Sequence, residues 1–185
     1  MTVLAKLKPE WIARLSYHLP GNQKLEHRVK DDNLNLNLKI PPLAQAAIAI
    51  FLIWLFDRYM PLYHIDFNYQ YLIARAVIGI GAIVAVAGIF AFRKLNTTVD
   101  PRYPKKAKNL VIIGIYKYSR NPMYLGLLLI LTGIAVYFGA LSNILVLFLF
   151  VSFINKYQII PEETALQDKF GESYSRYTRT VRRWI

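Results

Sequence analysis

Two short polar stretches flank a long apolar one, and their residue types could hold opposite ends of one small ligand. The first is Gly114-Ile115-Tyr116-Lys117-Tyr118-Ser119-Arg120-Asn121-Pro122-Met123-Tyr124-Leu125-Gly126. Asn121 suits the N-cap of a helix and Pro122 its first position, so a helix is predicted to start here, its free amide groups and positive dipole end beside Arg120. Such an end can hold a carboxylate or a phosphate. A well-capped helix with a snorkelling arginine would show the same residues. The second stretch is Pro161-Glu162-Glu163. Where a helix ends, two adjacent carboxylates repel one another and the dipole, so a cation or a hydroxyl donor is expected to compensate them, unless the pair is simply solvated. An anion site and an anionic group a short distance apart suit a zwitterion.

The elements that must position these groups are set by the apolar run between them. Asn121 to Asn155 is 35 residues without a charge. As one helix it would be roughly 50 Å long against a hydrocarbon core of about 30 Å, so it should fold back on itself. The break is readable at Phe138-Gly139-Ala140-Leu141-Ser142-Asn143. Ile40 to Phe56 and Ala76 to Phe92 are two further charge-free runs of 17 residues each. The reading is an all-α polytopic membrane protein with four transmembrane helices, near 41–58, 71–92, 122–138 and 141–160. Tyrosines and snorkelling arginines flank the shorter ones. Residues 1–40 form an N-terminal cytoplasmic or interfacial segment and 41–185 the membrane domain. Gly81, Ala85 and Gly88 share one helix face that admits another backbone closely. After the C-terminal helical hairpin the chain turns amphipathic, with Tyr174, Tyr177, Val181 and Trp184 on one face, and this tail is expected to lie on the cytoplasmic leaflet.

The chain of 185 residues carries 23 Lys and Arg against 11 acidic residues, a formal +12. Their placement decides what that charge means. Seven lie in residues 1–40, eight in 93–120 and six in 156–185, against one in the 57–70 connection and none in the 138–143 turn. This alternation places both termini and the 93–120 loop on the cytoplasmic side, so the charge faces lipid headgroups and no nucleic-acid partner is expected. With 55% hydrophobic residues the chain cannot be an extended disordered protein, and a soluble fold with buried core helices fits the long runs poorly. Zero cysteines exclude disulfides and thiolate ligands, and His18, His27 and His64 lack a ligand spacing, so no metal is expected. Met1 to Leu19 carries charges and no apolar h-region, which argues against a cleaved leader. Gly79-Ile80-Gly81 lacks the third glycine and preceding strand of a dinucleotide fold. Asn33 to Leu38 alternates with period two and reads as an extended interfacial lead-in.

The ordered set of motifs resembles the isoprenylcysteine carboxyl methyltransferase and phospholipid methyltransferase group of integral-membrane enzymes. The resemblance runs from Thr97-Thr98-Val99-Asp100-Pro101 through Leu110-Val111 and the Gly114 to Gly126 motif. It continues in Glu162-Glu163 with Leu166, Phe170-Gly171-Glu172, Tyr174, Tyr177 and Val181-Arg182-Arg183. It implies S-adenosylmethionine as cofactor, held by Lys108, Asn109, Leu110, Val111, Tyr116, Asn121, Pro122, Met123, Tyr124 and Glu162. Two positions depart from the prenylcysteine enzymes: Asn121 stands where they typically carry histidine, and Gln158 stands near where they carry an arginine suited to a substrate carboxylate. Gln158 is thus the candidate substrate-binding residue, and poor activity on farnesylated cysteine analogues is expected.

The resulting expectation is methyl transfer to a lipophilic acceptor entering from the bilayer, by in-line displacement in a dry, preorganised cavity. The candidate catalytic residues are Arg120, at the anion-holding helix end, and Glu163, which with the motif tyrosines could serve as base for an amine or alcohol acceptor. Two rivals remain. One is a sterol-type reductase using NADPH, for which the basic 93–120 loop offers phosphate ligands. The other is a membrane anchor or transport subunit, against which stands the absence of ionisable residues inside the hairpin run.

Overall fold

The computed structural model describes residues 40–95 and 109–185; its regular elements there are all helical, with no strand among the described residues. Helix α1 (Pro42–Tyr59) begins at Pro41-Pro42, where ring-fixed backbone and missing N–H groups cost nothing. Helix α2 (Gln70–Lys94) closes on Arg93 and Lys94, cations that complement its negative end. A single 3₁₀ turn, Gly114–Lys117, starts from a left-handed Gly114 (φ 60°). Helix α3 (Pro122–Phe138) ends at Gly139, whose φ of 78° only glycine adopts without strain. Helix α4 (Asn143–Ile154), a π turn (Asn155–Ile159) and α5 (Ile160–Phe170) form one continuous helical rod, and Gly171 (φ 51°) turns the chain into α6 (Glu172–Thr180).

Three of these helical segments are long and apolar enough to cross a bilayer: Pro42–Tyr59, Gln70–Lys94 and Asn143–Phe170. The fourth apolar helix, Pro122–Phe138, has 17 residues, at the lower limit of roughly 17–25 for a spanning helix. The hairpin therefore breaks where Phe138 to Asn143 implied. The helix that carries the fourth span continues past residue 160, to Phe170. Pro161 lacks an N–H and its ring would strike the carbonyl four residues earlier, yet the π turn just before it shifts that carbonyl and the helix continues.

Helix α2 packs on α3 through glycines. A Cβ at Gly126 would come within 2.6 Å of the Gly81 carbonyl oxygen and 2.7 Å of Ala85, and one at Gly133 within 2.8 Å of the Ala74 carbonyl. The Gly81, Ala85 and Gly88 face is thus a backbone-to-backbone contact, stabilised by dispersion and by close approach where lipid supplies no hydrophobic drive. Helices α1, α3 and α4 share a second core of Ala46, Ala49, Ile53, Leu131, Val146 and Phe150. Away from these contacts, side chains such as Ile83, Phe90, Phe148 and Leu145 are exposed and face lipid. At the far end, Ile65 N–H donates to the Gly139 carbonyl (2.9 Å) and Leu141 N–H to that of Tyr63 (2.9 Å), tying the α1–α2 connection to the hairpin turn. The opposite end gathers the start of α3, the π turn, α5 and the tail, where the polar stretches meet.

Candidate functional site

Because α4 runs through the π turn into α5, Glu162 and Glu163 occupy the first turn of α5 and not a helix's negative end. The repulsion expected from a dipole is therefore absent, while the expected compensation is present and differs for the two carboxylates. Successive helical residues point about 100° apart. Glu162 accepts a hydrogen bond from the buried Tyr124 hydroxyl at 2.8 Å. Glu163 faces the other way and is held by two guanidinium groups. Arg120 Nη1 lies 3.1 Å from Oε1, and Arg183 forks onto both oxygens, Nε to Oε1 at 3.2 Å and Nη2 to Oε2 at 2.6 Å. Charge-assisted two-pronged pairing of this kind fixes orientation as well as charge.

The tail that carries Arg183 is stitched to the start of α3. Arg120 N–H donates to the Arg182 carbonyl (3.0 Å), and the Asn121 amide Nδ2 donates to the carbonyl of Arg183 (3.1 Å). Asn121 does occupy the N-cap position, but its side chain makes no capping bond and is directed to the tail instead. Ser119 Oγ accepts from the Asn121 N–H (3.1 Å) and donates to the Arg183 carbonyl (3.5 Å). Helix α6 presents Tyr174, Tyr177 and then Val181 to Leu110, Leu166 and Phe170, and Tyr177 O–H donates to the Tyr116 carbonyl at 2.7 Å. The amphipathic tail thus turns its apolar face onto the protein. Burial, and next the nearby Glu163 charge, push the Tyr174 hydroxyl up to about 12. Burial, then the Tyr174 charge, raises Tyr177, and burial, then the Glu162 charge, raises Tyr116. These hydroxyls stay protonated at neutral pH, which makes them donors and poor bases.

The remaining candidate residues line the same end of the bundle. Asn109 Nδ2 donates to the Leu95 carbonyl that ends α2 (3.1 Å), and Val111 is buried with Ala91 and Tyr116. Tyr116 meets Phe92 edge-on at 5.4 Å. Pro122 and Met123 pack against Gly88. Lys108 and the Thr97 to Pro101 motif lie outside the described residues, as do the lead-in at Asn33 to Leu38 and the N-terminal segment. Gln158 is fully buried in the π turn, one helical turn before Glu162, and its Oε1 accepts from Gln45 Nε2 at 3.5 Å. Gln45 and Arg183 are the two members that sequence reasoning missed. Gln45 had a signal, being the one polar residue in the Ile40 to Phe56 run. Arg183 was one of several tail arginines with nothing local to single it out.

Among the described residues no group of three or more acidic, His or Cys side chains could hold a metal ion. What the arrangement offers is a carboxylate (Glu162) with acceptor capacity beyond its one tyrosine bond and, on the guanidinium that holds Glu163, a buried Arg120 Nε without a hydrogen-bond partner. Such a pair can receive an ammonium or diol on one side and a carboxylate on the other.

The profile of the family described as phospholipid methyltransferase matches residues 69–173, which includes α2, α3, the π turn and both carboxylates. An uncharacterized protein of Haemophilus influenzae is 46% identical over 63 residues, which are 34% of this chain and the whole of that protein. No solved structure matches the chain.

Proposed function

Because the chain belongs to the phospholipid methyltransferase family, we propose that it uses S-adenosylmethionine to methylate a lipophilic acceptor drawn from the bilayer, as an isoprenylcysteine-methyltransferase-like enzyme. The observation that carries this reading is the split partnering of the acidic pair: Glu163 is neutralised by two arginines, of which Arg120 has a buried Nε without a hydrogen-bond partner, while Glu162 keeps acceptor capacity beyond its bond from Tyr124. Those free groups fit the cofactor's amino-acid end and ribose diol. When bound, S-adenosylmethionine supplies a methyl group on a positively charged sulfur. Glu162 would take the ammonium or ribose hydroxyls, Arg120 the carboxylate, and Tyr116, Met123 and Tyr124 would wall the adjoining space.

An acceptor lone pair aligned behind the methyl carbon forms the new bond as the carbon–sulfur electron pair withdraws onto sulfur. The protein's share is alignment and exclusion of water. Arg120 and Glu163 then act as a positioning pair. Since Glu163 is fully engaged by guanidinium groups and the motif tyrosines stay protonated, an acceptor that reacts without a strong base fits best. Gln158, a neutral amide, supports an acceptor other than a prenylcysteine carboxylate.

Purified protein in detergent is expected to gain thermal stability with S-adenosylhomocysteine, since a ligand bound only by the folded state adds RT ln(1 + [L]/Kd). A shift with NADPH and none with S-adenosylhomocysteine would transfer the case to reduction. Transfer of a labelled methyl group into a lipid extract would then identify the product.

The same reading puts the site and both termini on the cytoplasmic side, following the lysine and arginine distribution. In this cysteine-free chain, Leu62→Cys and Ser173→Cys should label from opposite faces of sealed vesicles. Labelling from one face alone would break the hairpin topology on which the site depends.

A further inference from the structure

An apolar groove of about 210 Å³ lies between α1 and α4, its wall built mainly from Ile48, Ala49 and Leu52 on one side and Leu149, Phe150 and Phe153 on the other. Neither Tyr124 nor Glu162 lines it, so it is distinct from the candidate cofactor site. Ala49 is buried and contributes only a methyl group, while Ile48 and Leu149 are exposed and open the groove to the bilayer. No charged side chain belongs to the lining. A cation stands just beyond its end. The Phe153 and Tyr157 ring centroids are 4.6 Å apart, and Lys156 Nζ lies 5.2 Å from the Tyr157 centroid. Lys156 is exposed, and none of the ion pairs among the described residues engages it. Lys156 and Tyr157 follow Phe153 by about one helical turn toward the end of the bundle that carries the acidic pair. Hydrocarbon, amphipathic ring and ammonium therefore succeed one another from the bilayer interior toward the headgroups, the order in which a lipid presents its chain and its head.

We propose that the groove and Lys156 form a binding site for one anionic phospholipid, an acyl chain seated between α1 and α4 and the phosphate on the Lys156 ammonium. The volume falls below the roughly 300–1,000 Å³ of drug-sized pockets, which fits a stretch of one chain and leaves the second chain in the bilayer. Charge selects the head. An anionic head meets an ammonium that no carboxylate of the protein engages, whereas a zwitterionic head brings its own cation beside Lys156 and gains less. The seated chain touches both helices and adds dispersion contacts where Ala49 leaves room between them. Helix α1 lies outside the residues 69–173 that match the family, so the lipid holds this helix against the matched domain and takes no part in the chemistry at the acidic pair.

The test uses the full chain in phosphatidylcholine nanodiscs doped with phosphatidylglycerol or phosphatidylcholine, each probe bearing the same photoreactive diazirine at mid-chain. Phosphatidylglycerol is expected to label α1 and α4 along the groove about fivefold more than phosphatidylcholine, the worth of one cation near an anionic head. Lys156→Gln, an exchange of an exposed side chain, should lower phosphatidylglycerol labelling to the phosphatidylcholine level and leave the latter unchanged. Ala49→Phe fills the groove and should remove labelling there by both probes. Lys156→Gln keeps the proposal testable if Ala49→Phe fails to fold. Equal labelling of the wild type by the two probes means ordinary surrounding lipid and overturns the proposal. Undiminished preference for phosphatidylglycerol in Lys156→Gln, or undiminished labelling in folded Ala49→Phe, overturns it as well. Inorganic phosphate at the ionic strength of a chloride control should not displace the probe; displacement would assign Lys156 to free phosphate and overturn the lipid site.

Discussion

Glu163→Gln is expected to be the most damaging single exchange at this end of the bundle, lowering stability by about 3 kcal/mol. It leaves Arg120 and Arg183 without the carboxylate they share. Their side chains are 15% and 35% exposed and that of Glu163 is 17% exposed, so water can only partly replace the lost partner. Cost on this scale belongs to removing one member of a buried pair, and it is the penalty of the stranded charges, not the net worth of the bridge. The tail should loosen with it, because Arg183 holds its place by the fork onto Glu163 and by carbonyl bonds to Asn121 and Ser119. Thermal unfolding in detergent and C-terminal proteolysis would report both effects. Arg183→Lys should be intermediate, since an ammonium keeps the charge and loses the fork. Unchanged thermal stability with lost methyl transfer would instead return Glu163 to the role of base.

The parts of this architecture that could be read in the sequence are those whose cause is local. A charge-free run too long for one crossing, interrupted by a glycine that adopts the left-handed region, fixes the hairpin and its turn at Gly139. Small residues at Gly81, Ala85 and Gly88 announce the close α2–α3 contact by spacing alone. The continuation of the rod past Pro161 to Phe170 was not legible for a physical reason: proline normally ends or kinks a helix, and the preceding π turn that accommodates it has no sequence signature of its own. The tail was undecidable in the same way. An amphipathic face is equally suited to lipid and to a protein surface, and the choice rests on long-range contacts such as Tyr177 with the Tyr116 carbonyl. Gln45 and Gln158 are 113 residues apart in the chain and meet only because α1 packs beside the α4 rod.

Glu162→Gln separates the two carboxylates most cleanly, because it preserves shape and removes charge at the one that keeps free acceptor capacity. The Tyr124 hydroxyl can still donate to the amide oxygen, so the fold around the 2.8 Å contact should survive and thermal stability without ligand should change little. What is lost is charge assistance to an ammonium or ribose donor. That places about 1.5–3 kcal/mol of cofactor binding at risk, or roughly 10- to 150-fold in Kd. Calorimetric titration with S-adenosylhomocysteine measures this directly. Tyr124→Phe should have a smaller effect, since Glu162 keeps its charge and loses one orienting bond. Gln158→Ala should leave cofactor affinity near wild type, as that fully buried side chain is engaged by Gln45. If Glu162→Gln binds S-adenosylhomocysteine as tightly as the wild type, the carboxylate serves only to hold Tyr124. The cofactor's amino-acid end would then have to be sought along Asn109 to Val111.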